Sequence, residues 1–182
     1  MNLQELPTEV KFGIAGGIFY ALASYILYLA GPAAYSDAMA GSIAFLAIVA
    51  VAIYAGYHKK QKQDNVISFS EATQTIFLSF LIISFIWVIF YYMLFNVIDP
   101  DFNERVFEHQ LEMIEQLEED EELSPEDREQ FYDEPIEVTL WSALQYLVSY
   151  AIMGLILALI GGGFLKNDNF LSQDKLGGDK WQ

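Results

Sequence analysis

Four long apolar segments without a charged residue dominate the hydrophobic and polar pattern of this chain. They cover residues 12–30, 39–57, 76–95 and 138–160, and each contains at least nineteen consecutive uncharged positions. An α-helix rises about 1.5 Å per residue, so each segment is long enough to cross the roughly 30 Å hydrocarbon core of a bilayer. We therefore predict an all-α integral membrane protein with four transmembrane helices, forming a single membrane domain over residues 1–182.

The basic residues predict the orientation of these four spans. Seven of the nine fall before the first span, between the second and third spans, or after the fourth span. Positive charge favours the cytoplasmic side of a membrane, so both termini are predicted to be cytoplasmic. These seven residues are Lys11, Lys59, Lys60, Lys62, Lys166, Lys175 and Lys180.

An acidic segment, residues 99–134, separates the third span from the fourth. It holds sixteen of the twenty-five carboxylates against two arginines, and hence a net charge of −14 in a chain whose total is −16. Unpaired charges are prohibitively costly to bury in lipid or in a packed core, so this segment is predicted to lie in water outside the cell membrane. It is an extracytoplasmic acidic insertion between helices 3 and 4.

Apolar residues recur at helical spacing inside this acidic insertion. Asp99 followed by Pro100 predicts a helix start, and the amphipathic pattern continues to about residue 119. Ser124-Pro125 predicts a second short helix that Pro135 ends, which makes the insertion a helical hairpin. The apolar face of the first helix is a candidate partner-docking surface. Its residues are Phe102, Val106, Leu111, Met113 and Leu117.

Small and hydroxyl-bearing residues line single faces of the predicted spans. Glycine pairs spaced four apart let helices approach closely, and Ser and Tyr hydroxyls hydrogen-bond between helices. Such a stripe favours a helix-packing seam, with a groove for a polar lipid or small ligand as the alternative. The residues are Gly13, Gly17, Tyr20, Ser24, Tyr28, Ser84, Trp87, Tyr91, Ser142, Gln145, Ser149, Gly154 and Ala158.

Local signals also predict several helix ends. Ser68 with Glu71 three residues later is a capping box, so a helix is predicted to begin near Phe69 and to continue into the third span. Gly31-Pro32 is predicted to end the first helix, residues 32–38 to form only a turn, and the glycines at 161–163 to end the fourth span.

The sequence contains little that indicates catalysis. No cysteine is present, no charged residue or histidine falls within a span, and no phosphate-binding or nucleophile motif occurs. We predict no enzyme, no cofactor, no tight metal site and, given the negative charge, no nucleic-acid binding. Weak divalent-cation binding is conceivable only at four carboxylates on one helical face, for which a solvated acidic face is the favoured interpretation. They are Glu104, Glu108, Glu112 and Glu115.

Two short stretches carry a family resemblance. The third span opens with I-S-F-S-E-A at 67–72, and the acidic insertion contains P-D-F at 100–102 and E-H-Q-L-E at 108–112. With two spans and a basic loop before them, these stretches resemble the bacterial membrane family named domain of unknown function 4199, roughly from Glu9 to Lys166. The resemblance implies a four-span protein of the cytoplasmic (inner) membrane and implies no activity or catalytic residue.

Two functional hypotheses follow, and neither is enzymatic; a membrane enzyme that assists envelope glycan or lipid synthesis ranks last, because no catalytic constellation supports it. The first is an interaction or scaffold subunit that docks an unknown membrane or extracytoplasmic protein through its acidic hairpin. The alternative is a binder or carrier of a polar lipid or small molecule that uses a Tyr- and Ser-lined interior of the bundle. Contact with the lipid bilayer is expected in both cases, and the sequence does not set the oligomeric state.

Overall fold

The computed structural model describes residues 6–119 and 138–167, and all regular structure within these residues is helical. The side chains of residues 116–119 lie outside the description. In chain order the helices are α1 (Thr8–Ala30), α2 (Pro32–Ser36), α3 (Ala38–Lys62), α4 (Phe69–Met93), α5 (Phe102–Glu119) and α6 (Leu140–Leu165), and a π-helical turn, Leu94–Ile98, extends α4.

Four of these helices are long and apolar enough to cross a membrane: α1, α3, α4 with its π-helical turn, and α6. The predicted four-span helical architecture is therefore confirmed. Each helix extends past its uncharged run; α3, for example, continues to Lys62, five residues beyond the predicted end. Polar residues at the ends continue the helices because their side chains reach the interfacial water.

Helix α4 lies at the centre of the bundle. It packs extensively along α1 and α6 and also against α3, whereas α3 and α6 meet only sparsely. The main core includes the fully buried side chains of Ile48, Ile76, Phe80 and Ile83. The sparse meeting of α3 and α6 leaves one side of the bundle open.

Glycines set how closely α4 approaches its neighbours. A Cβ atom at Gly13 would lie 2.7 Å from Ile82, and a Cβ atom at Gly154 would lie 2.5 Å from the Phe80 ring. Real Cβ atoms do not approach this closely, so these positions accept only glycine without a shift of α1 or α6. Side-chain volume on α4 thus fills the space that glycines leave on its neighbours.

Side-chain caps determine two of the helix starts. Ser68 Oγ accepts a hydrogen bond from the Glu71 amide at 3.3 Å, so the predicted start of α4 at Phe69 is confirmed. Asp37 caps α3 by accepting from the amides of Met39 at 2.7 Å and Ala40 at 3.0 Å. The sequence analysis did not identify this second cap.

The predicted end of α1 at Gly31-Pro32 is confirmed, whereas two other local predictions are wrong. Residues 32–36 form a short helix instead of a turn, because Pro32 occupies a first-turn position, where its missing N–H is not needed. Helix α6 continues through the three glycines to Leu165. Gly161 and Gly162 are buried against Ile76 and Thr73 of α4, and this packing stabilises helical backbone that glycine alone disfavours.

One end of the bundle, here called the basic end, gathers the described parts of both termini. Lys60 of α3 donates to the Leu165 carbonyl at 2.9 Å and to Asn167 Oδ1 at 2.6 Å. Lys59 pairs with Glu9 of α1 at 3.8 Å. The lysine-rich loop therefore lies beside the start of α1 and the end of α6.

The opposite end, here called the acidic end, carries α5. Tyr28 donates to Asp99 Oδ2 at 3.1 Å, and Arg105 of α5 pairs with the same carboxylate. Phe102 and Val106 pack with Leu94 of the π-helical turn in a second apolar cluster. Helix α5 is therefore fixed to the bundle, while the predicted second helix of the hairpin lies outside the described residues.

A candidate ligand groove between two membrane helices

An open-sided groove of about 620 Å³ lies where α3 and α6 diverge. The acidic-end halves of both helices form its walls, and one tyrosine of α1 forms part of its floor. The groove is lined by Ala38, Gly41, Ser42, Phe45 and Leu46 of α3, by Ser149, Tyr150 and Met153 of α6, and by Tyr20 of α1.

The depth of the groove follows from the helix positions of its lining residues. Ala38 begins α3 at the acidic end, and Leu46 lies eight residues further along, roughly 12 Å deeper at 1.5 Å per residue. Tyr20 lies ten residues before the end of α1, roughly 15 Å from the acidic end. The groove therefore extends from the acidic-end interface towards the middle of the membrane-spanning region.

Aromatic side chains form the floor of the groove. The Tyr20 ring stacks on Trp87 of α4 with centroids 5.5 Å apart. Tyr150 contacts Trp87 at 5.3 Å, Phe45 at 6.3 Å and Phe80 at 6.4 Å. Aromatic pairs of this kind hold the rings in defined positions, so the side chains of the floor form a fixed surface.

Polar groups are few in the groove, and they are hydroxyls. They belong to Tyr20 and Tyr150, which line the groove, and to Ser42 and Ser149 on its exposed walls. Ser24, one turn from Tyr20, accepts a hydrogen bond from Trp87 Nε1 at 3.2 Å. The groove thus combines apolar walls with hydroxyl groups at its inner end.

The predicted packing and groove residues fall into three sets. The first set is buried and consists of Gly13, Gly17, Gly154, Ala158, Ser24 and Ser84. Within α4, the Ser84 hydroxyl donates a hydrogen bond to the Phe80 carbonyl at 2.9 Å. The groove contains Tyr20 and Ser149, and Trp87 lies beneath it. The remaining residues lie towards the acidic end: Tyr28 on Asp99, Tyr91 against Phe95, Ser142 in the Thr139 cap of α6, and Gln145 exposed one turn from Ser149.

Sequence reasoning missed part of the groove. Ser42, Phe45 and Tyr150 line it, yet the predicted site residues do not include them. Tyr150 lies eight residues after Ser142 and so continues the helical spacing of the polar face, but the predicted face stopped at Ser149. The α3 residues belong to a span that resembled a plain packing helix. The signal available was an excess of aromatic residues at one membrane level.

The predicted docking residues do not all lie on an open surface. Phe102 is 2 % exposed and Val106 is buried beside it, because both pack on the end of α4. Leu111 is half-buried, whereas Met113 is 46 % exposed. Leu117 lies among the residues whose side chains are not described.

The four glutamates proposed as weak cation candidates are exposed along α5. Glu104, Glu108, Glu112 and Glu115 form a ridge that faces away from the bundle. Within residues 6–119 and 138–167, no group of three or more His, Asp or Glu side chains is arranged to hold a metal ion. The ridge therefore resembles a solvated acidic surface.

No curated protein and no solved structure matches this chain. A family model described as "Protein of unknown function (DUF4199)" matches residues 11–167, which include all four membrane-spanning helices and the acidic insertion. The chain thus belongs to the family described as DUF4199, as the motifs at 67–72, 100–102 and 108–112 predicted.

Proposed function

We propose that this protein binds an amphiphilic molecule of the membrane in the groove between α3 and α6. The observation that carries the proposal is the groove itself: an open-sided space of about 620 Å³ at bilayer depth, with apolar walls and a floor of aromatic rings and hydroxyls. Small-molecule sites commonly have volumes of about 300–1,000 Å³ and this combination of apolar walls with few polar groups.

The packing of the bundle supports the same proposal. Protein interiors are close-packed, and a gap between two helices normally closes around side chains. Here Gly41 and Ser42 keep the α3 wall thin, and a Cβ atom at Gly41 would meet nothing within 4 Å. Space of this kind at bilayer depth is available to a lipid chain or another amphiphile.

Binding or carriage fits the groove better than catalysis does. The described lining residues are uncharged, and none is a histidine or cysteine. General acid–base and nucleophilic catalysis both need an activated titratable group within reach of the reacting atoms. We therefore keep a non-enzymatic role in this proposal.

Two helical glycines provide a matched test. Gly41 lies in the groove and Gly163 lies near the basic end of α6, and a Cβ atom at either position meets nothing within 4 Å. Gly41→Leu places a side chain in the groove, whereas Gly163→Leu makes the same chemical change elsewhere. Wild-type protein and both variants are reconstituted in nanodiscs containing a total lipid extract and released for native mass spectrometry.

The expected result is one enriched bound species on wild-type protein and on Gly163→Leu, and its loss from Gly41→Leu. Folding of each variant is checked by circular dichroism and by the elution volume in detergent. Equal retention of the species by Gly41→Leu would contradict the proposal, as would a wild-type lipid profile identical to that of the surrounding bilayer.

A second candidate function is the docking of a protein partner through α5. It is favoured by the fixed position of α5, which Arg105 and Asp99 hold against the bundle while four glutamates face outward. A ridge of this charge suits a basic partner surface, and complementary charge mainly speeds association and sets specificity. The exposed Met113 would add an apolar contact.

This candidate is tested by neutralising the ridge. Replacing the four glutamates with glutamines should abolish cross-linking of partners in intact membranes. Cross-linking of partners to the wild-type protein should weaken as the salt concentration rises. Gln110→Ala, at an exposed uncharged position of α5, serves as the comparison and should leave the cross-links unchanged. Partners that persist on the neutralised variant at every salt concentration would contradict docking through the ridge. The residues to replace are Glu104, Glu108, Glu112 and Glu115.

The predicted location belongs to the same proposal. The protein would occupy the cytoplasmic membrane with both termini in the cytoplasm and the insertion at 99–134 outside. Support comes from the segregation of charge, since lysines gather at the basic end and α5 lies at the acidic end.

A further inference from the structure

Four tyrosine side chains lie at or beside the inner end of the groove, around Trp87 of α4. Tyr20 and Tyr150 pack against Trp87 with ring centroids 5.5 and 5.3 Å apart. Tyr91 stacks on Trp87 at 5.2 Å and contacts Tyr146 at 5.6 Å. Helices α1, α4 and α6 therefore bring phenol groups to one region of the acidic-end half.

Positions along the helices place this tyrosine cluster below the membrane interface. Tyr146 and Tyr150 lie six and ten residues after the start of α6, roughly 9 and 15 Å from the acidic end. Trp141, which is 68 % exposed, lies close to that end, where aromatic residues usually mark the headgroup level. The cluster is thus at the depth of the upper acyl chains.

The tyrosine cluster can donate hydrogen bonds but offers no positive charge. Every described residue that lines the groove is uncharged. At its mouth Asp37 is exposed next to Ala38 and presents a negative charge. In the described part of the acidic end, Arg105 is paired with Asp99, and His109 lies beside Glu112 on α5.

We propose that the groove selects an uncharged lipid whose hydroxyl or carbonyl oxygens accept hydrogen bonds from the tyrosine cluster. This inference rests on the proposed function, because it specifies the class of ligand in the same groove. A phosphate or carboxylate in this position would have no partner charge, and burying an unpaired charge is far more costly than burying a neutral oxygen.

Hydroxyl chemistry explains why such a ligand would be held. A phenol has one donor and can also accept, so each tyrosine can donate to a carbonyl oxygen or exchange hydrogen bonds with a hydroxyl. Tyr20 and Tyr150 both line the groove. A neutral oxygen in the groove would supply an acceptor for their hydroxyl groups.

The test uses two photoreactive lipids that differ only in a phosphate: a diacylglycerol and the phosphatidic acid with the same chains. A photoreactive long-chain alcohol is a third, neutral probe that separates recognition of a hydroxyl from recognition of glycerol esters. Each probe is mixed into nanodiscs with wild-type protein, and attachment to the 38–46 and 149–153 peptides is quantified by mass spectrometry.

The expected result is at least tenfold greater attachment of the diacylglycerol than of the phosphatidic acid at these two peptides. Tyr20→Phe and Tyr150→Phe should each lower attachment of the neutral probe about three- to tenfold, the range that one net hydrogen bond supplies. Tyr54→Phe, at an exposed position near the basic end, should leave it unchanged.

The outcomes separate this inference from the proposed function. Equal attachment of both lipids at the groove, or unchanged attachment after both Phe substitutions, would overturn the selection of a neutral lipid while leaving a lipid groove intact. Absence of any probe from the groove peptides would overturn the proposed function as well. A strong signal from the alcohol alone would restrict recognition to the hydroxyl.

Discussion

The contact between Gly154 and Phe80 gives the sharpest stability prediction. An added Cβ at Gly154 would lie 2.5, 3.1 and 3.3 Å from three atoms of the Phe80 ring. Phe80 is 1 % exposed and packs against Phe45 and Tyr150, so its ring has little room to move. Gly154→Ala should therefore separate α6 from α4 or strain the core.

The magnitude follows from two opposing effects. Overpacking a well-packed core costs typically about 1–3 kcal/mol. Replacing glycine by alanine within a helix favours the helix by about 1 kcal/mol, and the same gain applies at Gly163, where an added Cβ meets nothing within 4 Å. The free energy of unfolding of Gly154→Ala should consequently fall about 1–3 kcal/mol below that of Gly163→Ala.

The assay is reversible unfolding in mixed micelles of a mild detergent and dodecyl sulfate, followed by circular dichroism. Phe80→Leu introduced together with Gly154→Ala should recover part of the loss, because the smaller side chain vacates the space that the new methyl group needs. Equal stability of Gly154→Ala and Gly163→Ala, or no coupling with Phe80→Leu, would refute the close packing of α4 against α6.

Three further predictions concern the attachment of α5, the cap of α4 and the burial of Tyr35 in α2. Asp99→Asn should loosen α5, because it removes the charge that pairs with Arg105, and hydrogen exchange in residues 102–115 should rise; unchanged exchange would show that apolar packing alone holds α5. Ser68→Ala should lower the free energy of unfolding by about 1 kcal/mol through loss of the α4 cap, with Ser70→Ala, at an exposed position in the first turn of α4, as the control. Burial raises the pKa of the Tyr35 hydroxyl in the folded protein, so its contribution to the free energy of unfolding is complete below the unfolded-state pKa near 10 and is lost as pH rises towards the higher folded-state pKa. Tyr35→Phe should flatten this loss of stability at alkaline pH. An identical dependence of stability on alkaline pH in the variant would contradict the burial.

Hydrophobic pattern and local capping predicted most of the fold. The four spans follow from runs of uncharged residues that have no stable alternative to crossing lipid, and they need no knowledge of tertiary contacts. The start of α4 was predictable because Ser68 and Glu71 interact within one turn. The motifs at 67–72, 100–102 and 108–112 also predicted the family, which the match over residues 11–167 confirms.

Features that depend on tertiary packing were harder to predict. Glycine disfavours a helix locally, yet Gly162 continues α6 because Thr73 of α4 packs against it. The amphipathic pattern of α5 identified its apolar face, which was interpreted as a docking surface, but Phe102 and Val106 are covered by the chain's own second core cluster. Sequence periodicity identifies an apolar face and does not identify what covers it.

The groove was the least predictable feature. Tyr20 and Ser149 were identified as residues of polar stripes, but their meeting across the bundle requires α3 and α6 to diverge. Nothing in the α3 sequence distinguishes a wall of Gly41 and Ser42 beside a groove from the same residues in a tight helix interface, since small residues serve both. This ambiguity is why packing and ligand binding stayed open as alternatives.

The most direct test of the central claim is a map of where lipid rests on the wild-type protein in a bilayer. A diacylglycerol carrying a photoreactive group along its acyl chain is incorporated at low density, activated, and located on the polypeptide by peptide mass spectrometry. The account predicts labelling concentrated on residues 38–46 and 149–153, above the level set by their exposure. Labelling spread over all four spans in proportion to their exposed surface would show that the space between α3 and α6 is ordinary lipid-facing surface and holds no bound ligand.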